Sequence, residues 1–210
     1  MCLSPTLFVL LLVFSAPTFA EAQIITPVHK EAQRMYFNLE PVDTVIESQA
    51  GSTQYVLADT AKAEELARKA SLWLQSKKYA PAREAAEKAT GIYAQLGIQN
   101  EKAIFAWDAL SKVLYYTEHY NLALEAGELS AAICRKIFPE THPKVLISYN
   151  NLGVMYSQTA NHAKALENLG KALELTLLLP DTCANKVFII YKNIGTQYMH
   201  KAQYAKALEY

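Results

Sequence analysis

The sequence predicts an all-α chain, a solenoid of antiparallel helix hairpins occupying residues 61–210. Three observations lead there. Apolar residues recur at helical spacing in paired segments joined by short polar turns. The pairs themselves repeat: Tyr79/Ala82, Tyr120/Ala123, His162/Ala165 and Tyr204/Ala207 stand 41, 42 and 42 residues apart, and a fixed period of this size marks a repeat array. Two columns hold only small residues, Ala70, Ser111, Gly153 and Gly195 in the first helix of each pair and Ala82, Ala123, Ala165 and Ala207 in the second.

Taken in order, residues 1–22 read as a signal peptide. The first twenty carry no side-chain charge and contain the run LFVLLLVF, followed by Pro17 and an Ala20-Glu21-Ala22 cleavage site. The apolar stretch from Leu7 to Ala20 is shorter than the roughly 18 residues a membrane span requires. The expectation is export to the periplasm or the exterior, with a new N-terminus at Glu21 or Gln23 and no membrane span in the mature chain. Residues 23–60 lack sustained periodicity and contain Pro27, Pro41 and the turn-like AGST at 50–53; they read as a linker with one short helix in HKEAQRMYFNL.

From residue 61 the pattern is helical. Asp59 or Thr60 is the expected N-cap, and Leu66, Ala70 and Trp73 form one apolar face. A turn at QSKKYA leads to a second helix with Pro81 in its first turn, where the missing N–H is not needed. Ala82, Ala86, Ala89 and Ile92 fall on one of its faces, and it stops near Gly97. The later copies put the repeats near 63–98, 104–139, 146–180 and 188–210.

The small columns explain Gly153 and Gly195, which sit inside helices where glycine costs roughly 1 kcal/mol against alanine. Where the two helices of a hairpin approach most closely there is no room for a large side chain, and the gain in packing offsets the lost propensity. Bulky neighbours such as Trp107 and Leu110, or Tyr149 and Leu152, fill the space beside that contact. The aromatic stripe is core.

The stretch YNNLGVMYSQTANHAKALENLGKALEL, residues 149–175, resembles the tetratricopeptide repeat at nearly every position, departing at Ala160 and His162 where Gly and Tyr are usual. The 42-residue period exceeds the roughly 34 of that family and is similar to the kinesin light chain variant, as is the loop PETHPKVLISYNNLG. The resemblance covers residues 61–210. It implies a right-handed superhelical array whose first helices line a concave groove for a peptide segment or a partner protein. It places in that groove Asp108, Lys112, Tyr115 and Tyr116, then Asn150, Asn151, Val154 and Gln158, then Lys192, Asn193, Thr196 and Met199. Asn151 and Asn193 occupy equivalent positions, where an amide ladder would hydrogen-bond an extended peptide backbone. The last copy stops at ALEY, midway through its second helix, although a solenoid needs a capping element; further repeats or another domain are expected after Tyr210.

Other classes find little support. Lys plus Arg and Asp plus Glu both count 20, so no net charge draws the chain to nucleic acid. No Gly-rich phosphate loop, G-x-S-x-G, H-E-x-x-H or C-x-x-C occurs, and no enzyme activity or cofactor is expected. His119, His162 and His200 fall near hairpin turns without Cys, Asp or Glu at ligand spacing, and read as polar turn residues rather than a metal site. Beyond Cys2, Cys134 reads as a buried small hydrophobe and Cys183 as a loop residue. Two functional readings follow: a non-catalytic interaction scaffold, or the docking portion of a longer exported protein with a peptidase-like or signalling domain downstream.

Overall fold

The computed structural model describes residues 50–179 and 184–210, with side chains from Val56 to Leu179 and from Val187 to Tyr210. The signal segment, residues 23–49 of the linker with its short helix, and Cys183 lie outside the described residues. Among the described residues there are eight helices: α1 Ala50–Gln75, α2 Tyr79–Gln95, α3 Glu101–Tyr116, α4 Tyr120–Ile137, α5 Pro143–Gln158, α6 His162–Leu178, α7 Ala184–His200 and α8 Tyr204–Ala207. They pack as four hairpins, α1 with α2, α3 with α4, α5 with α6 and α7 with α8, and each second helix also packs on the first helix of the next hairpin.

The start of α1 differs from the expectation. The helix begins at Ala50, not after a cap at Asp59 or Thr60. Thr60 donates its hydroxyl to the Leu57 carbonyl at 2.9 Å, one turn back within the helix. Asp and Thr act as caps where the preceding backbone leaves the helix, and the run TQYVLADT holds no Gly or Pro to force it out. Later starts follow their local chemistry. Asn100 caps α3 by accepting from Ala103 N–H at 2.9 Å, and Asn161 accepts from Lys164 N–H at 3.2 Å to cap α6. His142 caps α5, its Nδ1 accepting from Lys144 N–H at 3.2 Å while Pro143 opens the helix. The His142 ring stacks on Phe138 at 4.1 Å, holding the loop between the second and third hairpins.

One turn geometry closes every hairpin. Lys77, Glu118, Ala160 and Ala202 adopt φ of 56, 63, 58 and 54°, one at the end of each first helix. Each donates its N–H three residues back, and the following residue donates five back, as in Ala160 to Ser157 at 3.1 Å and Asn161 to Tyr156 at 2.8 Å. This is the Schellman arrangement, which satisfies the last carbonyls of the helix. The residue after the turn opens the next helix at once: Asn161 accepts at its carbonyl from Ala165 N–H at 2.9 Å. The two helices are therefore held antiparallel by about one turn of chain.

The small columns meet at the hairpin contacts. A Cβ on Gly153 would stand 2.6 Å from Leu169 Cγ and 3.2 Å from the Ala165 carbonyl oxygen, and one on Gly195 would stand 3.4 Å from that of Ala207. At the same level of the second hairpin, Ser111 fits because its hydroxyl donates to the Ala123 carbonyl at 2.8 Å. Ala70, Ala82, Ala123 and Ala165 are fully buried. Trp107, Leu110, Tyr149 and Leu152 are buried beside them, as an aromatic core stripe requires. Cys134 is buried too, and burial pushes its thiol pKa up.

Candidate functional site

The first helices α3, α5 and α7 each present one stripe to solvent. At about 100° per residue, positions 105, 112 and 116 of α3 point one way, and Phe105, Lys112 and Tyr116 are all exposed. The opposite faces, carrying Ala103, Trp107, Leu110 and Leu114, are buried. Of the first helices, α1 packs on α3, whereas α5 touches α7 only lightly. The exposed stripes face away from the buried hairpin contacts.

The residues expected in the groove are distributed along these stripes. In α3, Lys112 is exposed. Tyr116 stacks on Tyr79 at 6.1 Å, and Tyr115 meets Tyr116 and Tyr120 edge-on at 5.6 and 5.7 Å. Burial pushes the Tyr115 hydroxyl pKa up, with Gln158 of the next hairpin close enough to oppose the shift. Asp108 turns away from the stripe toward α4, where Ser130 Oγ donates to its Oδ1 at 2.6 Å. Burial raises its carboxyl pKa, and the Ser130 hydrogen bond and the charges of Lys112 and Lys144 offset part of that.

In the third and fourth hairpins the amides divide their roles. Asn193 Nδ2 donates to Asn150 Oδ1 at 3.0 Å, tying α7 to α5. Asn151, equivalent to Asn193, is half-buried and has no side-chain hydrogen bond among the described residues. Val154 is half-buried, and Gln158, Lys192 and Met199 are exposed. The Thr196 hydroxyl turns back onto its own helix, donating to the Lys192 carbonyl at 2.8 Å. Asn150 and Asn193 thus form a rung between hairpins, and Asn151 is the amide left available to a ligand.

Two features were not singled out in the sequence. Phe105, Ile147 and Ile189 are exposed large hydrophobics at equivalent positions, one turn ahead of the amide row; their common 42-residue spacing was the available signal. Gln197 is buried, donating to Ser157 Oγ at 2.7 Å and meeting His162 Nδ1 at 3.2 Å, and His162 stacks on His200 at 5.7 Å. That network joins α5, α6 and α7, so these histidines help bond adjacent hairpins. On the outer side, a depression of about 440 Å³ is lined by Glu128, Arg135, Tyr149, Tyr156 and Lys171 among others. There the Arg135 and Lys171 cations stand 5.5 and 5.6 Å from the Tyr149 ring centre, and the Tyr156 hydroxyl donates to Glu128.

Residues 104–177 match the family model described as tetratricopeptide repeat. No curated protein sequence matches significantly. Among solved structures, BtubC (BKLC) from P. vanneervenii superposes with a TM-score of 0.64 at 20% identity, over 69% of this chain and 58% of that one. A putative kinesin light chain from Podosopora anserina with nearly identical TPR-like repeats gives 0.61 at 20% identity, covering 70% and 69%. A Rap protein complexed with Competence and Sporulation Factor gives 0.59 at 17% identity, covering 71% and 41%. The chain therefore spans little more than half of BtubC and well under half of the Rap protein. The matched segment is thus similar to tetratricopeptide repeats and is embedded in hairpins of one repeating geometry, and the helical array has the fold of the kinesin-light-chain-like repeats.

Proposed function

We propose that this protein is a non-catalytic interaction scaffold that takes a peptide segment or a partner protein on the inner face of α3, α5 and α7. The observation that carries the reading is the stripe itself. Lys112, Tyr116, Asn151, Gln158 and Lys192 project from rigid helices and are not used up by the core, and a site on packed helices is held more precisely than one on loops. The Rap protein of similar fold was solved with Competence and Sporulation Factor, which supports a binding role for the fold without specifying the ligand here. Export after cleavage before Glu21 or Gln23 is part of the same proposal, tested by mass spectrometry of the N-terminus of protein recovered outside the cytoplasm.

Peptides selected from a random library against the full chain test the site. Asn151→Ala should weaken them about fivefold, the loss of one hydrogen bond of about 1 kcal/mol, with helicity kept or raised because alanine is the better helix former. Affinity that survives this change but falls on substitution of His142 and Lys144 would move the site to the loop between hairpins.

A further inference from the structure

The depression on the outer side takes its lining from three helices. Glu128, Ala132 and Arg135 fall at i, i+4 and i+7 on one face of α4, and Tyr149, Leu152 and Tyr156 at i, i+3 and i+7 on one face of α5. Contacts run in opposite order along the two helices: Glu128 accepts from the Tyr156 hydroxyl at one end, and Arg135 lies over the Tyr149 ring at the other. Lys171 of α6 joins Arg135 at that ring. The depression is therefore a trough, acidic at one end and cationic at the other, with Ala132 and the buried Leu152 between them. The exposed Lys164, 5.1 Å from the Tyr156 ring centre, stands outside its lining.

The charges at the two ends are not matched within the protein. Seven residues of α-helix rise ~10.5 Å, which keeps Glu128 and Arg135 apart, and neither forms an ion pair among the described residues. Lys171 is paired with Glu167 at 3.0 Å, but an ammonium carries three donors. The Glu167 hydrogen bond raises the Lys171 pKa and the Arg135 charge opposes the rise; the two cations feel each other, and a carboxylate beside both relieves their repulsion. A ligand that answers both ends carries an ammonium and a carboxylate well apart. In an extended lysine six bonds of ~1.5 Å hold the ε-nitrogen ~7.5 Å from the carboxyl carbon. Hydrogen bonds of ~2.8 Å at each end bring the span to ~13 Å, within reach of two long side chains rooted ~10.5 Å apart. Free lysine would bring its α-ammonium against Arg135 and Lys171, whereas a lysine ending a peptide has a neutral amide there. Arginine fits less well: the Tyr156 hydroxyl already occupies one Glu128 oxygen, and a guanidinium pairs best with both, whereas an ammonium needs one.

We infer that this trough is a docking site for the carboxy-terminal lysine of a peptide or protein chain, with the ε-ammonium on Glu128, the terminal carboxylate on Arg135 and Lys171, and the side-chain methylenes along Leu152. The site belongs to the outer face of the second and third hairpins and does not depend on the inner-face reading above.

The test uses fluorescein-labelled glycine–serine peptides in anisotropy titrations with the full chain. One ends in lysine with a free carboxylate; the others end in lysine amide, in norleucine or in arginine. The lysine acid should bind about tenfold more tightly than the amide and than the norleucine peptide, because each of these removes a charge-assisted hydrogen bond. Arg135→Gln should erase the preference for acid over amide, and Glu128→Gln the preference for lysine over norleucine. Both residues are exposed, so both variants should keep the parent's circular dichroism spectrum. Tyr156→Phe frees the second Glu128 oxygen and should bring the arginine peptide up to the lysine one. Unlabelled 6-aminohexanoate, which carries the same two charges without an α-ammonium, should displace the lysine peptide at a lower concentration than free lysine does. No binding of the lysine acid, equal affinity for acid and amide, or preferences that persist in both glutamine variants overturn the trough as the site. Asn151→Ala should leave this binding unchanged; its loss in that variant would put the peptide on the inner face and equally overturn the trough.

Discussion

Ala160→Gly should stabilise the protein. Ala160 holds φ at 58°, a left-handed conformation that costs a residue with a Cβ roughly 1–2 kcal/mol and glycine very little. The turn's hydrogen bonds, Ala160 N–H to Ser157 and Asn161 N–H to Tyr156, use only the backbone and survive the change. Against this gain, glycine frees the unfolded chain by about 0.4–1 kcal/mol. The net is a stabilisation of about 0.5–1 kcal/mol, a rise of roughly 1–4 °C in the melting midpoint for a chain of this size. Gly97→Ala makes the reverse change at the end of α2. Its φ is 63° and an added Cβ would meet nothing within 4 Å, so any loss comes from backbone strain alone. Both variants are compared with the parent by calorimetry and by thermal melts followed by circular dichroism. Glu118→Gly and Ala202→Gly, in other hairpins, should add to Ala160→Gly nearly independently. A melting midpoint for Ala160→Gly at or below that of the parent, with Gly97→Ala unchanged, would refute the assignment of strain to these turns.

Gly153→Ala should destabilise by about 1–3 kcal/mol, because its Cβ would press on the buried Leu169 and the Ala165 carbonyl. Gly170→Ala, where nothing lies within 4 Å, should instead stabilise by about 0.5–1 kcal/mol; chemical denaturation of the pair reads both. Ser111→Ala should cost about 1 kcal/mol through the lost bond to the Ala123 carbonyl, measured in the same titration. Asp108→Asn should raise stability at neutral pH. The folded carboxyl pKa lies above the unfolded value, so the folded state is penalised once both forms are ionised, and the penalty disappears as pH falls below the unfolded pKa. Denaturation midpoints of the two proteins should therefore differ at neutral pH and converge in acid; a constant difference across pH would show that Asp108 is not the cause.

The local and periodic features were legible in the residues themselves. The 42-residue register, the helical apolar stripes, the small columns and Pro81 in the first turn of its helix all depend on interactions within a few residues or on one repeated contact, and repetition in the sequence displays the small-column contact four times over. The start of α1 was not legible, because a capping side chain is only an offer and Asp59 and Thr60 lie in a run with no breaker. The fate of the asparagines was decided by packing between hairpins: Asn193 reaches across to Asn150, while Asn151, at the equivalent position, is left available. Asp108, placed in the groove by its column, is drawn instead to Ser130 on α4. Phe105, Ile147 and Ile189 look like core in the sequence, since apolarity alone cannot tell an inward from an outward face. Their exposure appears only when the helices are stacked and the side of each that remains uncovered is known.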